Sequence, residues 1–62
     1  MSELFEPTLA EMIAEAEREL AMRRRVYPRW VEAGRMKQHH AERRIEMMAA
    51  IAEFLRKATH ER

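Results

Sequence analysis

Segment 23–30 reads Arg-Arg-Arg-Val-Tyr-Pro-Arg-Trp and holds four arginines, the only tyrosine and the only tryptophan of the chain. A guanidinium grips phosphate or carboxylate oxygens with a planar fork, and aromatic faces stack on bases or cations. The chemistry on offer is therefore anion binding. The residue types of covalent catalysis are thin. There is no Cys and no Asp, and the only hydroxyl side chains are Ser2, Thr8, Tyr27 and Thr59, none with a base at a workable spacing. A single glycine leaves no phosphate-cradling glycine loop. His39 and His40 are adjacent, so on a helix they point about 100° apart, and no His-x3-His pair exists. The expectation is a non-enzymatic protein with no metal and no cofactor.

Charge is distributed as the anion reading requires. Residues 1–20 carry six Glu against one Arg, net −5; residues 21–44 carry seven Arg and one Lys against two Glu, net +6; residues 45–62 balance at three of each. The overall +1 conceals an acidic start and a basic middle. Such asymmetry fits an anionic partner, or subunits that pair basic part to acidic part.

Helices must position these groups. Ala, Glu, Arg, Met and Leu dominate, and no stretch alternates with period two. Thr8-Leu9-Ala10-Glu11 reads as a capping box opening a first helix over about 8–26. Leu9, Ile13, Ala16 and Leu20 line its apolar stripe, with Met12 beside it. Pro28 disfavours helical geometry at Tyr27, which predicts a stop or kink there and a separate helical turn over about 28–33. Gly34 sits where a left-handed helix stop belongs. A second helix runs over about 37–58. Ala41, Ile45, Met48, Ala52 and Leu55 form one seam on it, and Met47, Ile51, Phe54 and Ala58 form another.

The two seams cover about half the circumference of that helix, more than one partner helix can bury. The expected fold is all-α: a two-helix antiparallel hairpin with a short connecting helical turn, one domain over 1–62, assembling into a helical-bundle oligomer. A dimer forming a four-helix bundle is the simplest form. The oligomer interface is Met47, Ile51, Phe54 and Ala58. The competing cover is the N-terminal arm, with Phe5 folded back over the seam. Self-association also answers the small size of the chain, since without Cys or metal it is the remaining way to stabilise so short a sequence.

A hairpin brings Arg23, Arg24 and Tyr27 near Lys37, His40 and Arg44, with Arg29 and Trp30 in the connection. These eight are the candidate ligand-binding residues. Arginines at the end of the first helix cap its negative pole, which accounts for Arg23, Arg24 and Arg25 without a ligand. Lys37, His40, Arg43 and Arg44 have no such account. They sit at the positive pole of the second helix, where each cation costs roughly 0.3–1 kcal/mol. On the helical wheel Lys37, His40 and Arg44 fall inside the apolar arc. Glu32 and Glu42, an acidic helix start from another subunit, or an anionic ligand could compensate. Trp30 is expected to plug the open end of the core, while Tyr27 could serve either core or ligand. The six methionines read as adaptable core filler.

The stretch from Arg23 through Val31, then Gly34-Arg35-Met36, Ala41, Ile45, Met48, Ala50-Ile51 and Leu55, resembles a group of very short phage and prophage proteins. They share an R-x-V-Y-P…V…G-x-M…A…I…M-x-A-I pattern. The resemblance spans residues 19–55, and its Val-Tyr-Pro and Gly-x-Met elements are the specific part. It implies a small helical binding protein at work in a bacterial host cell, and it transfers no functional residues. The acidic N-terminus has no basic leader region, and no apolar run is long enough to span a bilayer, so a cytoplasmic location is expected.

These observations lead to one expected function. The hairpin tip captures a phosphate-bearing, nucleotide-like anion, such as a host defence signal, within a self-associated protein. The alternatives are a module that inhibits a host protein, and a small nucleic-acid-binding protein. No membrane partner is expected.

Overall fold

The computed structural model describes residues 6–60 and the side chains of residues 6–59. Two helices pack against each other as an antiparallel hairpin, α1 over Leu9–Glu32 and α2 over Gln38–His60, and no strand is present among the described residues. Phe5 and the N-terminal arm, the competing cover for the second seam, lie outside the described residues.

Helix α1 starts as its sequence dictates. The Thr8 hydroxyl accepts from the Glu11 amide at 3.1 Å, and the Glu11 carboxylate accepts from the Thr8 amide at 2.9 Å. That reciprocal capping box satisfies two amides that an open helix end leaves without partners. The far end differs from expectation. Helix α1 does not stop at residue 26; it continues through Pro28 to Glu32, so the separate helical turn over 28–33 is the last part of one helix. Proline's cost is a missing N–H and a steric bias against helix at the preceding residue. Here the preceding residue is Tyr27, only 6% exposed, and its burial outweighs the local bias.

The helix then ends at Ala33 and Gly34. The Gly34 amide donates to the Val31 carbonyl at 3.0 Å and the Arg35 amide to the Trp30 carbonyl at 2.8 Å. With Gly34 at φ +77°, these two bonds make a Schellman motif, and the chain turns back through residues 35–37 into α2. A methyl group added at Gly34 would meet no atom within 4 Å. Gly34→Ala therefore tests conformation alone: it is expected to destabilise the protein by about 1–2 kcal/mol, read as a lower midpoint in urea or heat.

The core between the helices is small. Ala16, Leu20 and Tyr27 from α1 meet Ala41, Met48 and Ala52 from α2, with Ile45, Ala49 and Leu55 partly buried around the cluster. Three of these six buried residues are alanines, so the helices approach closely and little apolar area is buried. The molecule is a slab only 14 Å thick, the depth of one helix layer. No described helix is long and apolar enough to cross a membrane.

The two broad sides of this slab differ. On one side Arg56 of α2 pairs with Glu17 of α1 and, at 2.9 Å, with Glu53 of its own helix. These hydrogen bonds, Glu53 foremost and then Glu17, hold the Arg56 pKa above its ordinary value. The other side carries the large apolar groups. Met12, Trp30, Met47, Ile51 and Phe54 are all exposed, Phe54 by 70%. Met12 and Trp30 are eighteen residues apart, which is five full helical turns and so one stripe. Trp30 shares a cleft with His40 and Arg44. His40 in turn lies within about 40° of Met47, Ile51, Phe54 and Ala58 on the α2 wheel, at 100° per residue. All five exposed apolar side chains therefore open onto the same side.

Candidate anion-binding cleft

The hairpin tip forms an open cleft of about 990 Å³ on that apolar side. Its walls come from the last turns of α1 (Tyr27, Trp30), the connection (Gly34, Arg35, Met36, Lys37) and the first turns of α2 (His40, Arg43, Arg44). The lining holds four formal cations, Arg35, Lys37, Arg43 and Arg44, and no carboxylate. None of the four makes an ion pair among the described residues. Glu42, a candidate counter-charge, accepts instead from the Gln38 side chain at 2.8 Å, and with Gln38 and Glu32 it lines a groove on the opposite side.

The local sequence places these cations at a helix start. Helix α2 has no acidic residue in its first turn, and its first cross-turn bond is from the Ala41 amide to the Lys37 carbonyl at 3.0 Å. The positive pole of the helix thus adds to the positive side chains. Cations are otherwise unfavourable in that position. The concentration of uncompensated positive charge in a concave lining is the central electrostatic feature of the molecule.

The aromatic pair supplies the apolar wall. Tyr27 and Trp30 stack with ring centroids 5.6 Å apart and planes 25° from parallel. The plug expected of Trp30 is supplied by Tyr27, for which sequence left core and ligand both open. Tyr27 is the core plug at 6% exposure, while Trp30, at 38%, lies open along the cleft instead of sealing the core. The reason is the unbroken helix. Three residues apart on one helix, the two rings lie on neighbouring lines, and only Tyr27 falls on the line of Ala16 and Leu20.

The eight candidate ligand-binding residues separate into three groups. Tyr27, Trp30, Lys37, His40 and Arg44 converge on the cleft. Arg23 is nearby but committed to the fold. Its Nε donates to Glu19 at 2.9 Å, its Nη1 donates to the Arg44 carbonyl at 2.9 Å, and its guanidinium carbon lies 5.9 Å from the centre of the Tyr27 ring. It straps α1 to α2 beneath the cleft wall. Arg24 lines a separate groove on the other side with Glu17, Ala21 and Arg56, and Arg29 is exposed in the last turn of α1 outside the cleft.

A second difference concerns burial. Lys37, His40 and Arg44 are exposed, although the wheel places them within the apolar arc of α2. The arc is two seams wide, and α1 covers only the one centred on Ala41, Met48 and Ala52. His40 and Arg44 continue the uncovered seam. Sequence reasoning left Arg35, Met36 and Arg43 out of the candidate ligand-binding residues and read Gly34 only as a helix stop, yet all four line the cleft. The left-handed turn at Gly34 brings the connection against the start of α2, and the position of Gly34 was the available signal. The rings of His39 and His40 lie 4.3 Å apart, yet no group of three metal-ligating side chains gathers among the described residues.

Fold and site together define a class: an antiparallel helical hairpin with a basic, aromatic-walled cleft at its tip. Comparison with protein-family models, curated proteins and solved structures finds no match to the chain. The cleft itself is the feature that bears on function.

Proposed function

We propose that this chain is a non-enzymatic binding protein whose hairpin tip captures a phosphate-bearing, nucleotide-like anion, and that it works as a self-associated helical bundle. The observation that carries the reading is the cleft lining: four cations, no carboxylate and an open tryptophan face. A phosphate answers the charge, and an attached ring answers Trp30. The resemblance to short phage and prophage proteins supplies the setting, a bacterial cytoplasm in which the captured anion is a host signal nucleotide. The uncovered seam of Met47, Ile51 and Phe54 supports self-association, because a protein layer with an exposed apolar face needs a second layer to cover it.

Calorimetry against a panel of mono- and cyclic nucleotides tests the binding reading directly; no heat with any of them would sink it. Trp30, the only tryptophan, gives a second readout. Nucleotides are expected to change its fluorescence, whereas inorganic phosphate binds through the cations and leaves the emission nearly unaltered. Equal responses to both would show that the ring makes no contact.

The same apolar seam favours one alternative, a module that inhibits a host protein by docking that protein's apolar segment. It predicts a monomer in isolation and a stoichiometric complex with one host protein. Nucleic-acid binding is the third reading. It predicts an affinity that falls steeply with salt, and a salt-independent interaction excludes it.

A further inference from the structure

The four cations of the cleft are spread along it. Lys37 stands just before α2, its carbonyl accepting from the Ala41 amide, and Arg44 follows seven residues later. Seven residues are two helical turns, so the two backbones share one line and stand roughly 10 Å apart along it. Arg43 lies on the neighbouring line, and Arg35 approaches from the connection. The lining holds no carboxylate, and none of the four makes an ion pair among the described residues.

Charge matching selects among nucleotides. A terminal phosphate carries about −1.5 to −2 at pH 7, so a nucleoside monophosphate answers about half of the four positive charges. A cyclic phosphodiester, with a single negative charge, answers less. Each further phosphate in a chain adds about one charge, so a triphosphate carries about −4 and matches the lining. Shape agrees with charge. A single phosphate has to draw the four cations to one point against their mutual repulsion, whereas a chain of phosphates meets them where they stand.

The rings count the bases. One face of Trp30 is stacked on the buried Tyr27, with centroids 5.6 Å apart, which leaves one face open. The remaining ring of the lining, His40, lies against His39 at 4.3 Å. The cleft thus offers a stacking place to one base and not to two. It also offers nothing to a divalent cation. Magnesium takes oxygen ligands, and the lining supplies four cations and no carboxylate to hold it. Magnesium on the phosphates also cancels two negative charges, so the complex of a triphosphate presents no more charge than a monophosphate.

We infer that the cleft selects a nucleoside polyphosphate in its metal-free form, with one base on the open face of Trp30 and the phosphate chain along Arg35, Lys37, Arg43 and Arg44. The inference rests on the reading that the cleft captures a phosphate-bearing, nucleotide-like anion, and the test separates the two. Calorimetry at constant ionic strength compares adenosine and guanosine mono-, di- and triphosphates, a cyclic mononucleotide and a cyclic dinucleotide, each with EDTA and with excess magnesium. Affinity is expected to rise about tenfold with each added phosphate, the worth of one further charge-assisted contact at an exposed site. Magnesium should weaken the triphosphate about tenfold or more and leave the monophosphate nearly unchanged. Arg43→Gln should shrink the advantage of triphosphate over monophosphate, and Arg24→Gln, in the opposite groove, should preserve it. Trp30→Leu should weaken nucleoside triphosphate about tenfold and leave inorganic tripolyphosphate unaffected.

Equal affinities along the phosphate series, or tighter binding of a cyclic nucleotide, overturn the polyphosphate inference while anion capture stands. Triphosphate binding strengthened by magnesium overturns the metal-free form. An equal loss with Arg43→Gln and Arg24→Gln overturns a shaped site for the chain, and a Trp30→Leu loss shared by tripolyphosphate overturns the stacked base. No heat with any of the nucleotides overturns capture and this inference together.

Discussion

Replacing Arg44 with glutamate is expected to weaken nucleotide binding by about 100-fold or more and to leave the fold intact. Removing one charge-assisted hydrogen bond to a phosphate costs about 1.5–3 kcal/mol, or roughly 10- to 150-fold in affinity. Reversal adds repulsion by a carboxylate in a lining that has none, so it exceeds simple removal. Arg44 is exposed, and only its carbonyl takes part in the strap from Arg23, so a change of side chain spares that bond. The helix content and the melting temperature of Arg44→Glu should therefore stay close to those of the parent.

The informative control is Arg24→Glu. It makes the same change in net charge from the opposite groove. At physiological salt, charges more than about 8 Å apart are largely screened, so this variant should shift binding only a few-fold. If both reversals weaken binding equally, the ligand senses overall charge and not a shaped cleft. That result would move the argument toward nucleic acid, whose affinity follows the number of neutralised phosphates.

The sequence carried the hairpin more fully than it carried the cleft. Periodicity located both helices because α1 and α2 each bury one strict stripe, and Thr8 with Glu11 marked the first boundary through a bond pattern that needs only local residues. Pro28 misled because its bias is local, whereas the burial of Tyr27 is decided by a helix eleven or more residues further along the chain. Reading Tyr27 as the end of a helix also gave Trp30 the core position that Tyr27 holds. The cations were visible as types, but type alone cannot separate them. Arg23, Arg24 and Arg25 are consecutive and chemically equal, yet one straps the helices, another faces the opposite groove, and none lines the cleft. Side of the slab is a property of the packed pair, and it becomes legible only once the covered seam of α2 is known.

The same division between covered and open seams governs stability. Leu20→Ala is expected to cost about 2–5 kcal/mol, since it removes one of the few large side chains in the buried cluster. A chain of this length has about 3–9 kcal/mol of total stability at 0.05–0.15 kcal/mol per residue. The alanines at 16, 41 and 52 have no bulk with which to fill the hole. The variant should therefore be largely unfolded by circular dichroism at 37 °C, or melt far below the parent. Phe54→Ala supplies the contrast. In the isolated hairpin Phe54 is 70% exposed, and its truncation should barely change stability. In a self-associated bundle that covers the Met47, Ile51 and Phe54 seam, the same ring would lie in the shared core, where truncating a phenylalanine costs about 3–5 kcal/mol. A Phe54→Ala loss that vanishes on dilution, while the Leu20→Ala loss persists, would assign Leu20 to the fold of one chain and Phe54 to the contact between two. Losses of equal size at every concentration would mean that the two chains fold only as a pair, since a 14 Å slab with three alanines at its centre then has no stability of its own.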